Sequence, residues 1–128
     1  MTELGRVEIL PPGSDGLGVC LVRLFGEIDL SNVRELSAAI AEGIPNDGSP
    51  VVFDLSETRY LDSTGIQLLF RLADTLRSRR RDLTLIVPED APIRTVIAIT
   101  GLGVRAPVLA SLEDLPRSGP SRVTRPDF

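Results

Sequence analysis

The run Val51-Val52-Phe53-Asp54-Leu55 constrains this chain more than any other stretch. Four of its five side chains are apolar and they do not alternate with polar ones. That is the pattern of a strand buried on both faces, as strands are inside parallel or mixed sheets. Such a strand must be covered from above and below, so helices have to pack on its sheet.

The surrounding sequence supplies strands and helices in alternation. Residues 6–10 have a short strand pattern, and residues 11–16 follow as a turn-rich loop. Residues 19–25 form a second strand, placed to pair with the first as a hairpin. After Gly26-Glu27-Ile28-Asp29, either Ser31 or Asn32 can cap a helix, with Glu35 in capping-box position relative to Asn32. Val33, Leu36, Ile40 and Ile44 give that helix one apolar stripe, and the breakers of residues 45–50 end it. Residues 56–61, beyond the central run, read as a loop. Ile66, Leu69, Phe70, Ala73 and Leu76 then mark a second amphipathic helix, which closes in the basic run 77–81. A solvated helix end favoured by the helix dipole accounts for those cations. Residues 83–87 are another strand, and residues 92–100 a third helix with Gly101 as its left-handed stop. Residues 104–109 are expected as a short edge strand, which Pro107 suits. Residues 111–115 are expected as a turn of helix. The prediction is an α/β fold: one small domain over residues 1–115, a mixed β-sheet with packed α-helices in the order β-β-α-β-α-β-α-β. Residues 116–128 are polar and rich in breakers, and are expected to form a disordered tail.

Composition removes much chemistry. All 14 basic residues are arginine, with no lysine and no histidine, against 18 acidic residues and a net charge of −4. No broad basic face points to nucleic acid. Serine nucleophiles need a neighbouring base, usually His or Lys, and neither exists here, so the chain is not expected to be an enzyme. One cysteine and no histidine cannot build a structural zinc site, and no metal or cofactor is expected. Cys20 lies in an apolar run and reads as a small buried hydrophobe. Asp54 at the end of a central strand invites comparison with phosphorylated receiver domains, but those also carry a lysine that this chain lacks. Gly13, Gly16 and Gly18 precede a strand rather than a helix, so they make a turn and not a phosphate cradle. The longest uncharged apolar stretch, from Val96 to Val104, is far short of the ~20 residues of a membrane span. The amino terminus has no secretory pattern, and the expected location is cytoplasmic without membrane insertion.

What remains is Tyr60-Leu61-Asp62-Ser63-Thr64-Gly65-Ile66, where a helix is about to begin. Asp62, Ser63 and Thr64 are all good N-cap types, and Thr64 with Gln67 spells a capping box. A helix start also tolerates a phosphate dianion on a serine, because unpaired amides and the positive dipole end lie there. Gly65, lacking a side chain, would let another backbone approach the hydroxyl. Spacing alone leaves capping and phosphorylation both open.

Taken in order, "LFGEIDLSN", "VVFDLSETRYLDSTGIQLLFRLADTLRSRRRDLTLIVPED" and "ITGLGV" resemble the anti-sigma factor antagonists of the STAS domain family. The resemblance runs over roughly residues 6–115. It implies that Ser63 is phosphorylated by a partner that is both anti-sigma factor and serine kinase. It also implies that the unphosphorylated form binds that partner and frees the sigma factor, and that a serine phosphatase reverses the modification. Asp29 and Asp62 match acidic positions near the acceptor. Partner contacts are expected across residues 26–29 and 58–65, above all from Glu27, Asp29, Asp62, Ser63, Thr64 and Gly65, and along the exposed face of the helix over residues 65–80. The alternative carried by the same resemblance is a non-switching STAS scaffold, or a subunit of a lipid- or anion-transport system.

Overall fold

A computed structural model describes residues 5–13 and 18–115. The elements run β1 (Arg6–Leu10), β2 (Cys20–Ile28), α1 (Val33–Gly43), β3 (Val51–Leu61), α2 (Ser63–Ser78), β4 (Leu83–Ile86), α3 (Arg94–Thr100), α4 (Leu102–Arg105) and β5 (Val108–Leu109). A 3-10 turn over Leu112–Asp114 follows. Five strands form one sheet in the order β1-β2-β3-β4-β5. β1 and β2 are antiparallel, as a hairpin requires, and the remaining pairs are parallel. The expected order therefore holds, with α4 as an addition. The tail expected over residues 116–128 lies outside the described residues.

The central run is covered on both sides, as its lack of alternation demands. Val51, Phe53 and Leu55 join Val22, Leu24 and Ile28 of β2 in the main core. Leu36 and Ile40 of α1 and Leu68, Leu69, Ala73 and Leu76 of α2 close over them. Val52 joins Leu21 and Ile86 in a smaller cluster, over which Leu109, Leu112 and Leu115 fold. Asp54 is buried as well, its carboxylate 3.5 Å from Arg23 Nε and accepting from the Ser56 N–H and hydroxyl. Cys20 is fully buried, and burial raises its thiol pKa.

Three expectations need correction. Residues 56–61 are not a loop; they continue β3 and pair with the end of β2 up to Ile28↔Leu61. Two irregularities in that pairing each give β3 one more residue than β2, so Leu55, Thr58 and Leu61 turn inward three residues apart. The buried Thr58 hydroxyl is satisfied by donating to Leu24 O at 2.8 Å. Residues 104–109 are mostly not strand either: Leu102 and Ala106, four apart and both buried, hold a helical turn, and β5 is only two residues long. Gly101, at φ 77°, is the left-handed stop that divides α3 from α4. The basic run, finally, is not wholly solvated. The buried Arg81 guanidinium donates to Pro45 O, Ser49 O and Ser49 Oγ, and so ties down the α1–β3 connection.

Candidate functional site

β2 and β3 end side by side, and α2 starts one residue after β3. The site therefore forms at the carboxyl ends of parallel strands, where open α/β sheets commonly bind ligands. Asp62, and not Thr64, is the cap. Its Oδ1 accepts from the backbone N–H of Thr64 (2.9 Å) and Gly65 (3.0 Å) and from the Thr64 hydroxyl (2.5 Å). Its Oδ2 accepts the backbone N–H of Leu30 at 3.1 Å, which straps the β2–α1 loop to the start of α2. The hydrogen bond from the Thr64 hydroxyl is the main cause holding the Asp62 carboxyl below its ordinary pKa. Bonds from the Gly65, Leu30 and Thr64 N–H groups add to the effect, and partial desolvation opposes it.

The β2–α1 loop is knotted locally. Asp29 Oδ1 accepts from the Ser31 N–H (2.9 Å) and hydroxyl (2.6 Å). Asn32 reaches back instead of capping α1: its Oδ1 accepts from Asp29 N–H and its Nδ2 donates to Glu27 O at 2.8 Å. The capping box expected between Asn32 and Glu35 is not made, since the Asn32 side chain has no bond into the first turn.

Ser63 is the first residue of α2 and is exposed. With Thr64 and Gly65 bonded to Asp62, Ser63 keeps the remaining unpaired amide of the first turn, and its hydroxyl has no partner among the described residues. Thr64 is half-buried and its hydroxyl is committed to Asp62. Gly65 departs from expectation: it is buried, facing the sheet rather than opening the surface. A Cβ there would stand 3.0 Å from Leu61 Cδ2 and 3.1 Å from Ile28 O, so the missing side chain lets α2 sit close on the strand ends.

Asp29 and Asp62 share an open depression of about 420 Å3 with Leu30, Ser31 and Tyr60, next to Ser63. Glu27 does not line it; it sits half-buried in β2 opposite Tyr60. Two further residues stand out here: Leu30, which sequence reasoning missed, and Tyr60, which falls in the expected 58–65 contact segment without having been singled out. They are 74% and 50% exposed, a large apolar side chain and an aromatic one beside two carboxylates. A signal existed for Tyr60, the only tyrosine in the chain, but not for Leu30, which stands three residues before Val33 and reads as a continuation of the α1 stripe. Among the described residues, no group of three or more His, Cys, Asp or Glu side chains is placed to hold a metal ion. Among the described residues, no helix is long and apolar enough to cross a membrane.

The sequence matches the family model described as "Mlab, STAS domain" over residues 16–110. The anti-sigma-F factor antagonist RsfB of Mycobacterium tuberculosis is 36% identical over 56 residues, 44% of this chain and 46% of RsfB, so the chain spans less than half of that relative's length. An anti-sigma factor antagonist from Mycobacterium paratuberculosis superposes with a TM-score of 0.68 at 29% identity, over 85% of this chain and 90% of that one. SpoIIAA in its unphosphorylated form shares the fold, with a TM-score of 0.63 at 20% identity over 85% and 91% of the two chains. A mixed five-stranded sheet, a serine opening the helix after its central strand and a family match over most of the domain lead to one conclusion: the chain belongs to the STAS domain family.

Proposed function

We propose that this protein is an anti-sigma factor antagonist, a binding module switched by phosphorylation of Ser63. The unphosphorylated form binds an anti-sigma factor that is also a serine kinase, and the bound sigma factor is released. A serine phosphatase resets the modified form. The observation that carries this reading is the Ser63 hydroxyl: exposed on the first residue of α2, with no partner among the described residues, beside the depression of Asp29, Leu30, Tyr60 and Asp62. The names of its relatives point the same way.

The switch follows from charge. A phosphate adds about −1.5 to −2 charges next to two existing carboxylates. A partner packed over Leu30 and Tyr60 would then have to desolvate three anionic groups at close range, at a cost of several kcal/mol. That is enough to release a complex of micromolar to nanomolar affinity. The phosphoryl donor, ATP, and the catalytic base belong to the kinase, which is why this chain functions without histidine or lysine. Its own part is to present Ser63 at a fixed helix start and to supply the docking surface.

Incubation with the cognate kinase and ATP, followed by calorimetric titration of both forms, tests the reading. Phosphorylation at Ser63 should weaken binding at least a hundredfold. Equal affinity for both forms would instead favour a non-switching STAS scaffold.

A further inference from the structure

At the far end of α2 the charge reverses. A cavity of about 350 Å3 opens between the end of α2, the start of β4 and the connection from α4 to β5. Ala73, Leu83 and Pro107 give it apolar walls, and Thr84, Arg77 and Arg105 give it polar ones, with Asp82 also lining it. Arg81 lines it too, but its guanidinium is already committed to Pro45 and Ser49. Arg105 is held in place by Asp74 at 2.6 Å, with Phe70 beneath its guanidinium. Arg77, Arg79 and Arg80 are exposed and have no partner among the described residues. Four arginines thus face two acidic residues at this end, in a chain whose net charge is −4.

Stabilising the helix dipole does not require this many cations, and only Arg77 lies in the last turn of α2. Arg80 is harder still to explain as filler. α2 ends in a Schellman motif, with Arg81 N–H donating to Leu76 O and Arg80 N–H to Arg77 O. The left-handed position of that motif normally holds glycine, yet here Arg80 occupies it at φ 59°. Arg80, left-handed, exposed and with no side-chain partner among the described residues, presents its charge to solvent.

We propose that this end of α2 and its cavity form a second docking surface, which takes an acidic segment of a protein partner. The guanidinium groups of Arg77 and Arg105 would hold a Glu or Asp carboxylate, and the stem of that side chain would lie against Leu83 and Pro107. Nucleic acid fits less well. The chain as a whole is anionic, and Phe70, which lies under Arg105, offers no free face for stacking bases. By helix rise, Arg77 lies about 21 Å from Ser63. That exceeds the screening length of about 8 Å at physiological salt, so a phosphate on Ser63 leaves this surface unaffected. The proposal stands whether or not Ser63 is the acceptor.

Amide NMR of the full chain with a capped hexaglutamate peptide at 50 mM salt tests this. The peptide should shift the signals of Ala73, Arg77, Thr84 and Arg105, and the affinity should fall several-fold at 300 mM salt. The double variant R77E/R79E should lose at least tenfold in affinity, and the neutral pair R77Q/R79Q a smaller amount, with melting temperatures lowered by no more than a few degrees through the lost dipole interaction of Arg77. No shifts at millimolar peptide, or equal binding by the variants, would overturn the proposal. So would inorganic phosphate or an oligothymidylate perturbing the same amides more strongly than the peptide.

Discussion

Asp62 joins two loops through one carboxylate: Oδ1 caps α2, while Oδ2 accepts the N–H of Leu30, 32 residues earlier in the chain. The two jobs can be separated. Asparagine caps helices as well as aspartate does, so D62N keeps the cap with its amide oxygen, but its NH2 group cannot accept from Leu30. D62N should therefore cost well under 1 kcal/mol of stability, against about 1–2 kcal/mol for D62A. Kinase affinity should fall about tenfold in D62N, since the exposed Leu30 is no longer held in place. Urea denaturation and calorimetry check both numbers, and a D62N variant that binds like wild type would remove Leu30 positioning from the picture.

The same carboxylate sets an acid limit. Its pKa is lower in the folded state than in the unfolded chain, so its contribution to stability is fully present above the unfolded value of about 3.9. The contribution is lost as pH falls through the folded value, which lies lower still. Wild type and D62N should thus differ by a constant amount from pH 7 to about 5 and converge below about 4. Denaturation midpoints measured at several pH values test this. A gap that did not narrow at all as the pH fell below about 4 would mean that the ionised carboxylate is not the stabilising form.

Ser63 and Thr64 are adjacent hydroxyls with opposite situations, one exposed and without a partner among the described residues, the other donating to Asp62. Ser63→Ala should abolish phosphorylation, leave the fold intact and still bind the kinase, since no charge is added. Thr64→Ala should leave phosphorylation in place and cost about 0.5–1.5 kcal/mol through the lost hydrogen bond. Peptide mass spectrometry locates the phosphate, and finding it mainly on Thr64 would reverse the assignment.

Much of the fold was legible because its signals are local. The unalternating run at Val51, the α1 stripe and the stop at Gly101 each depend on a few neighbouring residues, and Ser63 could be placed at a helix start from the motif alone. The continuation of β3 was not legible. Its polar residues come in pairs, Ser56 with Glu57 and Arg59 with Tyr60, which breaks the period of two; only the pairing with β2 reveals bulges that accommodate them. The cap was ambiguous because three cap-forming residues stand in a row, and the reach of Asp62 Oδ1 decides among them. Gly65 illustrates a different limit. A glycine that opens a surface and one that closes a packed contact look the same in sequence.

That distinction is measurable. Gly65→Ala would gain about 1 kcal/mol in helix propensity if the site were open. Instead the new Cβ meets Leu61 and the Ile28 carbonyl at 3.0 and 3.1 Å, and overpacking of this kind costs about 1–3 kcal/mol. The variant should be less stable than wild type by about 1 kcal/mol in urea. Unchanged or raised stability would show that the strand ends yield and that Gly65 is not a packing requirement.

Arg80 gives the opposite sign. At φ 59° its side chain strains a position that glycine fills freely, so Arg80→Gly relieves the native state while making the unfolded chain more flexible. The net effect should be a gain of about 0.5 kcal/mol, equivalent to a rise of roughly 2 °C in melting temperature. Arg80→Ala is the control, because it removes the charge but keeps a Cβ in the left-handed region and should bring no gain. Both variants lose the same cation, so both should weaken hexaglutamate binding equally, while only the glycine variant melts higher. If Arg80→Ala stabilised as much as Arg80→Gly, relief of charge crowding among Arg77, Arg79 and Arg80 would be the cause, and backbone strain at the end of α2 would not.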